Sequence, residues 1–184
     1  MPSAVDVLFV QGGGAGVHDD WDAALVDSLR KALGASYQVH YPRMPHEDDP
    51  AYAPWSAAIA QDLAALGDDA VVVGHSVGAT ILVNYLAECE PPVRLRAIVL
   101  IAAPFVGVGG WPGEEFELPP DLGSRLPAGA PVHLFHGSDD QTAPPAHCDL
   151  YARAVPQAHT HLLPARDHQL NDDLGDVAQA IMRL

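Results

Sequence analysis

Apolar and polar positions follow two rhythms along this chain, and the change from one to the other marks out its elements. Short apolar runs occupy residues 5–10, 37–41, 70–73, 95–102, 131–135 and 158–163. Runs of that length, rich in Val, Ile and Leu and bounded by turn-forming residues, predict strands. Between them the spacing lengthens. Residues 21–33 place Trp21, Ala24, Leu25, Leu29 and Leu33 three or four apart, which predicts one apolar helical face. Further helices are predicted over residues 55–66, 79–87, 145–154 and near 172–184, with 42–54 a polar, proline-containing loop. Strand–helix alternation implies a parallel sheet whose right-handed crossovers set helices on both faces. The expected fold class is α/β, a three-layer sandwich around a mostly parallel sheet of about six strands. No internal repeat or linker divides the chain, so residues 1–184 are expected to form a single domain. A chain of that length buries about 70% of its unfolded surface.

One junction carries chemistry. The apolar run Ala70-Val71-Val72-Val73 leads directly into Gly74-His75-Ser76-Val77-Gly78, and a helix-forming stretch follows. Gly-x-Ser-x-Gly alone is a weak signal, but between a strand and a helix it describes a sharp turn that lifts a serine hydroxyl above the sheet. Side chains at Gly74 and Gly78 would collide with the neighbouring strand and helix. Ser76 is the candidate nucleophile, and the N–H of Val77, at the helix N-terminus, is a candidate donor to a developing oxyanion.

A serine hydroxyl needs an imidazole to take its proton and a carboxylate to hold that imidazole in the right tautomer. Both occur downstream in the order Ser, Asp, His. The run 131–135 ends in His136-Gly137-Ser138-Asp139-Asp140, and the run 158–163 leads to Asp167-His168. Both loops leave the carboxyl ends of strands, the edge where open α/β sheets place their sites. The candidate triad is Ser76, His168 and Asp140, with Asp139 the competing carboxylate. A second oxyanion donor is expected from Gly12-Gly13-Gly14 after the first strand, with Gly13 the favoured N–H. That loop does not read as Gly-x-Gly-x-x-Gly in register, and no Gly-Lys-Ser/Thr comes after it, which argues against a dinucleotide or a P-loop nucleotide.

On these residues the chain resembles the small, lidless α/β-hydrolases of the retinoblastoma-binding protein nine and YdeN type. The resemblance runs through Gly12-Gly13-Gly14 with Trp21 after it, Tyr41-Pro42-Arg43-Met44-Pro45, Gly74-His75-Ser76-Val77-Gly78, Asp139-Asp140 and His168. It implies a serine-hydrolase core acting on ester-type bonds through an acyl-enzyme. The family pattern His-Gly-x-x-Asp-x-x-Val-Pro maps onto His136, Gly137, Asp140, Ala143 and Pro144, which implies Asp140 as the triad acid. For Asp139, turn chemistry predicts an Asx-type contact to its own backbone. Two positions depart from the family. Asp167 stands where many relatives have Gly, and Gln11-Gly12 replaces His-Gly.

Composition narrows the partners. A net charge of −15, with Lys31 the only lysine, argues against nucleic acid or an anionic membrane as partner. No stretch approaches a membrane span, and no signal-peptide pattern precedes the first strand. Cys89 and Cys148 form no disulfide framework or metal pattern, so both are expected to be reduced thiols and the location cytoplasmic. Ten histidines invite a metal reading, with His159 and His161 on one strand face, but their spacing supplies no ligand set, and no metal or cofactor is expected. Residues 104–130, rich in Gly and Pro, fall where larger relatives insert a lid and are too short to build one. Phe105 and Trp111 there are candidate walls of an acyl pocket, with Gly12 and His75 as further substrate contacts, and His75 is expected to prop the elbow through a hydrogen bond rather than take part in proton transfer. His46 is the polar candidate on the 42–54 loop. The expected reaction is hydrolysis of a small carboxylic ester, thioester or related acyl substrate. Two alternatives stay open: acyl transfer or cyclisation by the same triad, and a silent interaction protein on this scaffold.

Overall fold

The computed structural model describes residues 4–184. Its elements run β1 (Val5–Val10), α1 (Trp21–Leu33), β2 (Tyr37–His40), α2 (Tyr52–Ala64), β3 (Ala70–His75), α3 (Val77–Glu88), β4 (Leu95–Ile101), α4 (Leu122–Arg125), β5 (Val132–Gly137), α5 (Ala146–Ala154), β6 (His159–Leu163) and α6 (Gly175–Met182). The strands form one six-stranded sheet in the order β2-β1-β3-β4-β5-β6. Every neighbouring pair is parallel.

Strand period two divides the core. In β1, Val7 and Phe9 face one side and Leu8 and Val10 the other, and all four are buried. The Val7 face packs against Leu25, Val26, Leu29 and Leu33 of α1 and Val177 and Ile181 of α6. The Leu8 face packs against Trp55, Ile59 and Leu63 of α2, the apolar side of α3, and Tyr151 of α5. A sheet covered on both faces explains why its central strands read as continuous apolar runs. The long middle connection carries a turn of 3-10 helix at Glu114–Phe116 and the single turn α4, with no lid built from them.

Three features differ from the sequence reading. Helix α2 begins at Tyr52, with Pro54 inside its first turn, where a missing N–H costs nothing. The last helix begins at Gly175, because Leu170, Asn171 and Asp172 all adopt φ near +50° and break any earlier start. Trp21, placed on the buried face of α1 by its spacing, is 61% exposed, and Asp22 is buried beside it.

Candidate active site

Ser76 stands between the last residue of β3 and the first of α3 with φ +53° and ψ −133°, a strained conformation for a residue with a side chain. Its surroundings over-determine it. The Ser76 N–H donates to the Ile101 carbonyl (2.9 Å), and its own carbonyl accepts from Ala79 N–H (2.9 Å). A Cβ on Gly74 would lie 2.6 Å from Ala79 Cα, and one on Gly78 would run into the Gln11 carbonyl. Helix and strand can meet at this angle only with glycine at both places.

Two loops at the carboxyl edge of the sheet bring side chains to this hydroxyl. His168, from the β6–α6 connection, has Nε2 2.9 Å from Ser76 Oγ and Nδ1 2.8 Å from Asp140 Oδ2. Asp140 follows β5, and its side chain is wholly buried. Its Oδ1 accepts from the N–H groups of Thr142 (2.8 Å) and Ala143 (2.9 Å). Burial pushes the Asp140 carboxyl up, but hydrogen bonds from His136 and His168, the His168 charge and the Ala143 N–H outweigh it and hold it below the usual carboxylate range. Asp139 is exposed, and its carboxylate accepts from Ser138 Oγ (2.9 Å). The Asx-type turn expected at Asp139 is therefore made by Asp140. Asp167, beside His168, turns its carboxylate to the N–H groups of Gln169 (3.0 Å) and Asn171 (2.8 Å), where it braces the left-handed turn behind the histidine.

The glycine-rich loop lies opposite. Gly12 N–H donates to Asp22 Oδ2 (2.7 Å) and Gly14 N–H to the Glu47 carbonyl (2.6 Å). Between them, the Gly13 N–H meets no protein acceptor among the described residues. A Cβ on Gly13 would lie 2.9 Å from Val77 Cγ1, so the loop presses against the start of α3, with the Gly13 and Val77 N–H groups on neighbouring segments. Gln11 is fully buried. Its Oε1 accepts from Met44 N–H (2.8 Å) and its Nε2 donates to Glu47 (2.8 Å). Glu47 also accepts from the N–H groups of Gly16 (3.2 Å) and His18 (3.0 Å) and from Arg43 (3.0 Å). Gln11 and Glu47 thus hold the loop through its flanks and leave the Gly13 N–H without a protein acceptor among the described residues.

Ser76 and His168 open into a cavity of about 430 Å³ lined by Gly12, Gly13, Trp21, Gln141, Thr142 and Gln169 among others. Phe105 and Trp111 do not line it. Phe105 packs edge-on against Tyr151, and Trp111 stands against His147. The apolar side chains in its lining are instead those of Val17 and Trp21. His46 is exposed and likewise absent from the lining. His75, expected to touch substrate, is in the cavity wall but only 2% exposed. One ring nitrogen faces Asp22 (3.0 Å) and the other the His168 carbonyl (3.0 Å), so it has none to offer a ligand. A larger hollow of about 520 Å³ lies beyond the C-terminal end of α3, around Cys89 and Arg94, far from these groups. His133, His159 and His161 stack along the edge of the sheet, and no set of three potential ligands among the described residues could hold a metal ion.

Asp22 and Glu47 are the residues that sequence reasoning missed. Asp22 shares the three- and four-residue spacing of Leu25, Val26, Leu29 and Leu33, and a carboxylate on a buried helical stripe was a legible signal. Glu47 sits in a polar loop and carried none.

A parallel sheet with a strained serine turn between a central strand and its helix defines the architecture of the α/β hydrolases. The chain belongs to the Alpha/beta hydrolase family, whose profile matches residues 7–182. Among solved structures it is similar to a meta-cleavage product hydrolase (TM-score 0.75, 15% identity, covering 100% of this chain and 91% of that one). It is also similar to an esterase from a Rhodococcus species (TM-score 0.72, 16% identity, covering 98% and 90%). A third is the esterase domain of a Rhodothermus marinus protein (TM-score 0.66, 19% identity, covering 98% and 86%). No curated protein matches the chain in sequence. Among the described residues, no helix is long and apolar enough to cross a membrane.

Proposed function

We propose that this chain is a serine hydrolase of the small, lidless retinoblastoma-binding protein nine and YdeN type, acting on carboxylic esters, thioesters or related acyl groups. The observation that carries the reading is the continuous chain from Ser76 Oγ through His168 (2.9 Å) to Asp140 (2.8 Å). Esterases and hydrolases among the structural neighbours agree with it. Both cysteines are free thiols, which suits a reducing compartment such as the cytoplasm.

Each group has a task. Ser76 Oγ attacks the acyl carbonyl while His168 Nε2 takes its proton, and Asp140 stabilises the imidazolium that forms. The oxygen that gains charge accepts from the N–H groups of Gly13 and Val77. The carbon–heteroatom bond then breaks, and His168 returns its proton to the departing alcohol or thiol. Water adds to the acyl-enzyme, again losing its proton to His168, and the acid leaves with Ser76 restored. The open cavity favours small or protruding acyl groups over long buried chains.

Covalent labelling by a fluorophosphonate, read by intact mass, tests the reading. One adduct on the wild-type protein and none on Ser76→Ala is the expected result. A folded wild type that takes no adduct would leave a hydrolase scaffold without an activated serine.

A further inference from the structure

Beside the site lies a second Asp–His pair that the proposed reaction does not use. Asp22, in the first turn of α1, is fully buried, and His75, the residue before the nucleophile, is 2% exposed. His75 Nδ1 is 3.0 Å from the Asp22 carboxylate, and Nε2 is 3.0 Å from the carbonyl of His168. A backbone carbonyl and an ionised carboxylate can only accept. A neutral imidazole has one N–H, so it would leave one of these two contacts without a proton. Burial pushes the Asp22 carboxyl up, but the His75 charge and hydrogen bond, the Gly12 N–H and the Gln169 amide outweigh it and keep it ionised. Against that carboxylate, both contacts are hydrogen bonds only when both ring nitrogens are protonated, an imidazolium facing a carboxylate. The charged groups around the ring agree with this. Asp22 comes from α1 and Asp140 from the turn after β5, and His168 presents its backbone oxygen, its ring centroid lying 5.0 Å away. Burial alone would push the His75 ring down; the Asp22 charge and hydrogen bond, the His168 carbonyl and the Asp140 charge outweigh it and raise it.

A buried ion pair is costly to desolvate and is weak evidence for stability. Its other contacts suggest what it does. Asp22 Oδ2 also holds the N–H of Gly12 (2.7 Å), the residue before the Gly13 donor, and Gln169 Nε2, next to His168, reaches Asp22 Oδ1 (3.4 Å). We propose that Asp22 and His75 form a buried, ion-paired positioning couple that holds the His168 backbone and the Gly12–Gly13 loop in register with each other and with Ser76. This rests on the hydrolase reading, which gives both held segments a role. Those segments act on charge that develops only in the transition state, so loosening them should lower kcat and leave substrate binding little changed.

The protonation claim can be tested without turnover. With ¹⁵N-labelled histidine, the signal absent from His75→Gln should show both ring nitrogens protonated in the wild type at about pH 8, where an ordinary imidazole carries one proton. A single protonated nitrogen overturns the ion pair. For the positioning role, His75→Gln, Asp22→Asn and the double variant would be assayed with p-nitrophenyl acetate. We expect kcat to fall about 10- to 100-fold with KM within about threefold, because small misplacements of reacting groups carry costs of that size. The double variant should be no worse than the poorer single one. Losses that multiply, or that appear in KM alone, overturn it. Fluorophosphonate labelling separates the two failures. No adduct on the wild type defeats the hydrolase reading, whereas equal labelling rates for wild type and His75→Gln defeat the positioning couple.

Discussion

Replacing Asp140 by Asn removes one charge and changes almost no volume, so the surrounding hydrogen bonds determine its effect. Oδ1 of Asp140 accepts from two backbone N–H groups, Thr142 (2.8 Å) and Ala143 (2.9 Å), while Oδ2 faces His168 Nδ1 (2.8 Å). The asparagine oxygen must stay on the backbone side, since turning the NH₂ there would set donor against donor twice, at about 1–3 kcal/mol for each group left unpaired. The NH₂ therefore faces His168 Nδ1. That nitrogen must then accept, and the ring proton moves to Nε2, the atom that receives the Ser76 proton in the proposed reaction. A base held in the wrong tautomer loses about 10⁴-fold in kcat, or roughly 5.5 kcal/mol of transition-state stabilisation. Asp139→Asn should change kcat by less than about threefold, its exposed carboxylate meeting only Ser138 Oγ and no group of the triad. Hydrolysis of p-nitrophenyl acetate, with circular dichroism to establish folding, measures both. A folded Asp140→Asn enzyme within about tenfold of wild type would refute the reasoning, and a large loss in Asp139→Asn would move the role to that residue.

Other perturbations test the fold beneath the site. Gly78→Ala should destabilise by about 3 kcal/mol or more in urea denaturation, because its Cβ meets the rigid Gln11 carbonyl; a near-neutral result would mean the elbow can open. Gln11→Ala strands the buried Met44 N–H and should cost about 1–3 kcal/mol, with loss of fluorophosphonate labelling smaller than loss of stability. Burial, together with the His159 and His161 rings, holds His133 down at about 4. Its folded value lies below the unfolded one of about 6.5, so its contribution to stability is whole above that pH and is lost as pH falls toward about 4. At a partly exposed ring, screening reduces this to roughly 1 kcal/mol. Denaturation midpoints at about pH 7 and 4.5 should drop less for His133→Gln than for wild type, and equal drops would count against the shift.

Strand–helix rhythm and the Gly74–Gly78 turn were legible because each is written over a few adjacent residues, and the order Ser, Asp, His because each of the three follows a readable apolar run. The apolar runs need only period two and burial on both faces, and the turn needs glycine where backbone meets backbone. What lay beyond reach were choices between equals. Asp139 and Asp140 differ in sequence by one step; composition and spacing do not separate them, the resemblance alone favoured Asp140, and the turn after β5 buries its carboxylate and leaves that of Asp139 in water. Trp21 and Asp22 likewise adjoin, and the usual preference would bury the indole. The structure does the reverse, because the interior at that point offers Asp22 three donors: the Gly12 N–H, the His75 ring and the Gln169 amide. The 42–54 loop reached the site through Glu47, and Phe105 and Trp111 fell outside the cavity, by contacts between segments far apart in the chain. Local pattern thus determined the elements and the reactive residue types. The tertiary structure decided which polar groups are buried and which cavity wall faces Ser76, because hydrogen-bond partners and desolvation are properties of the assembled neighbourhood.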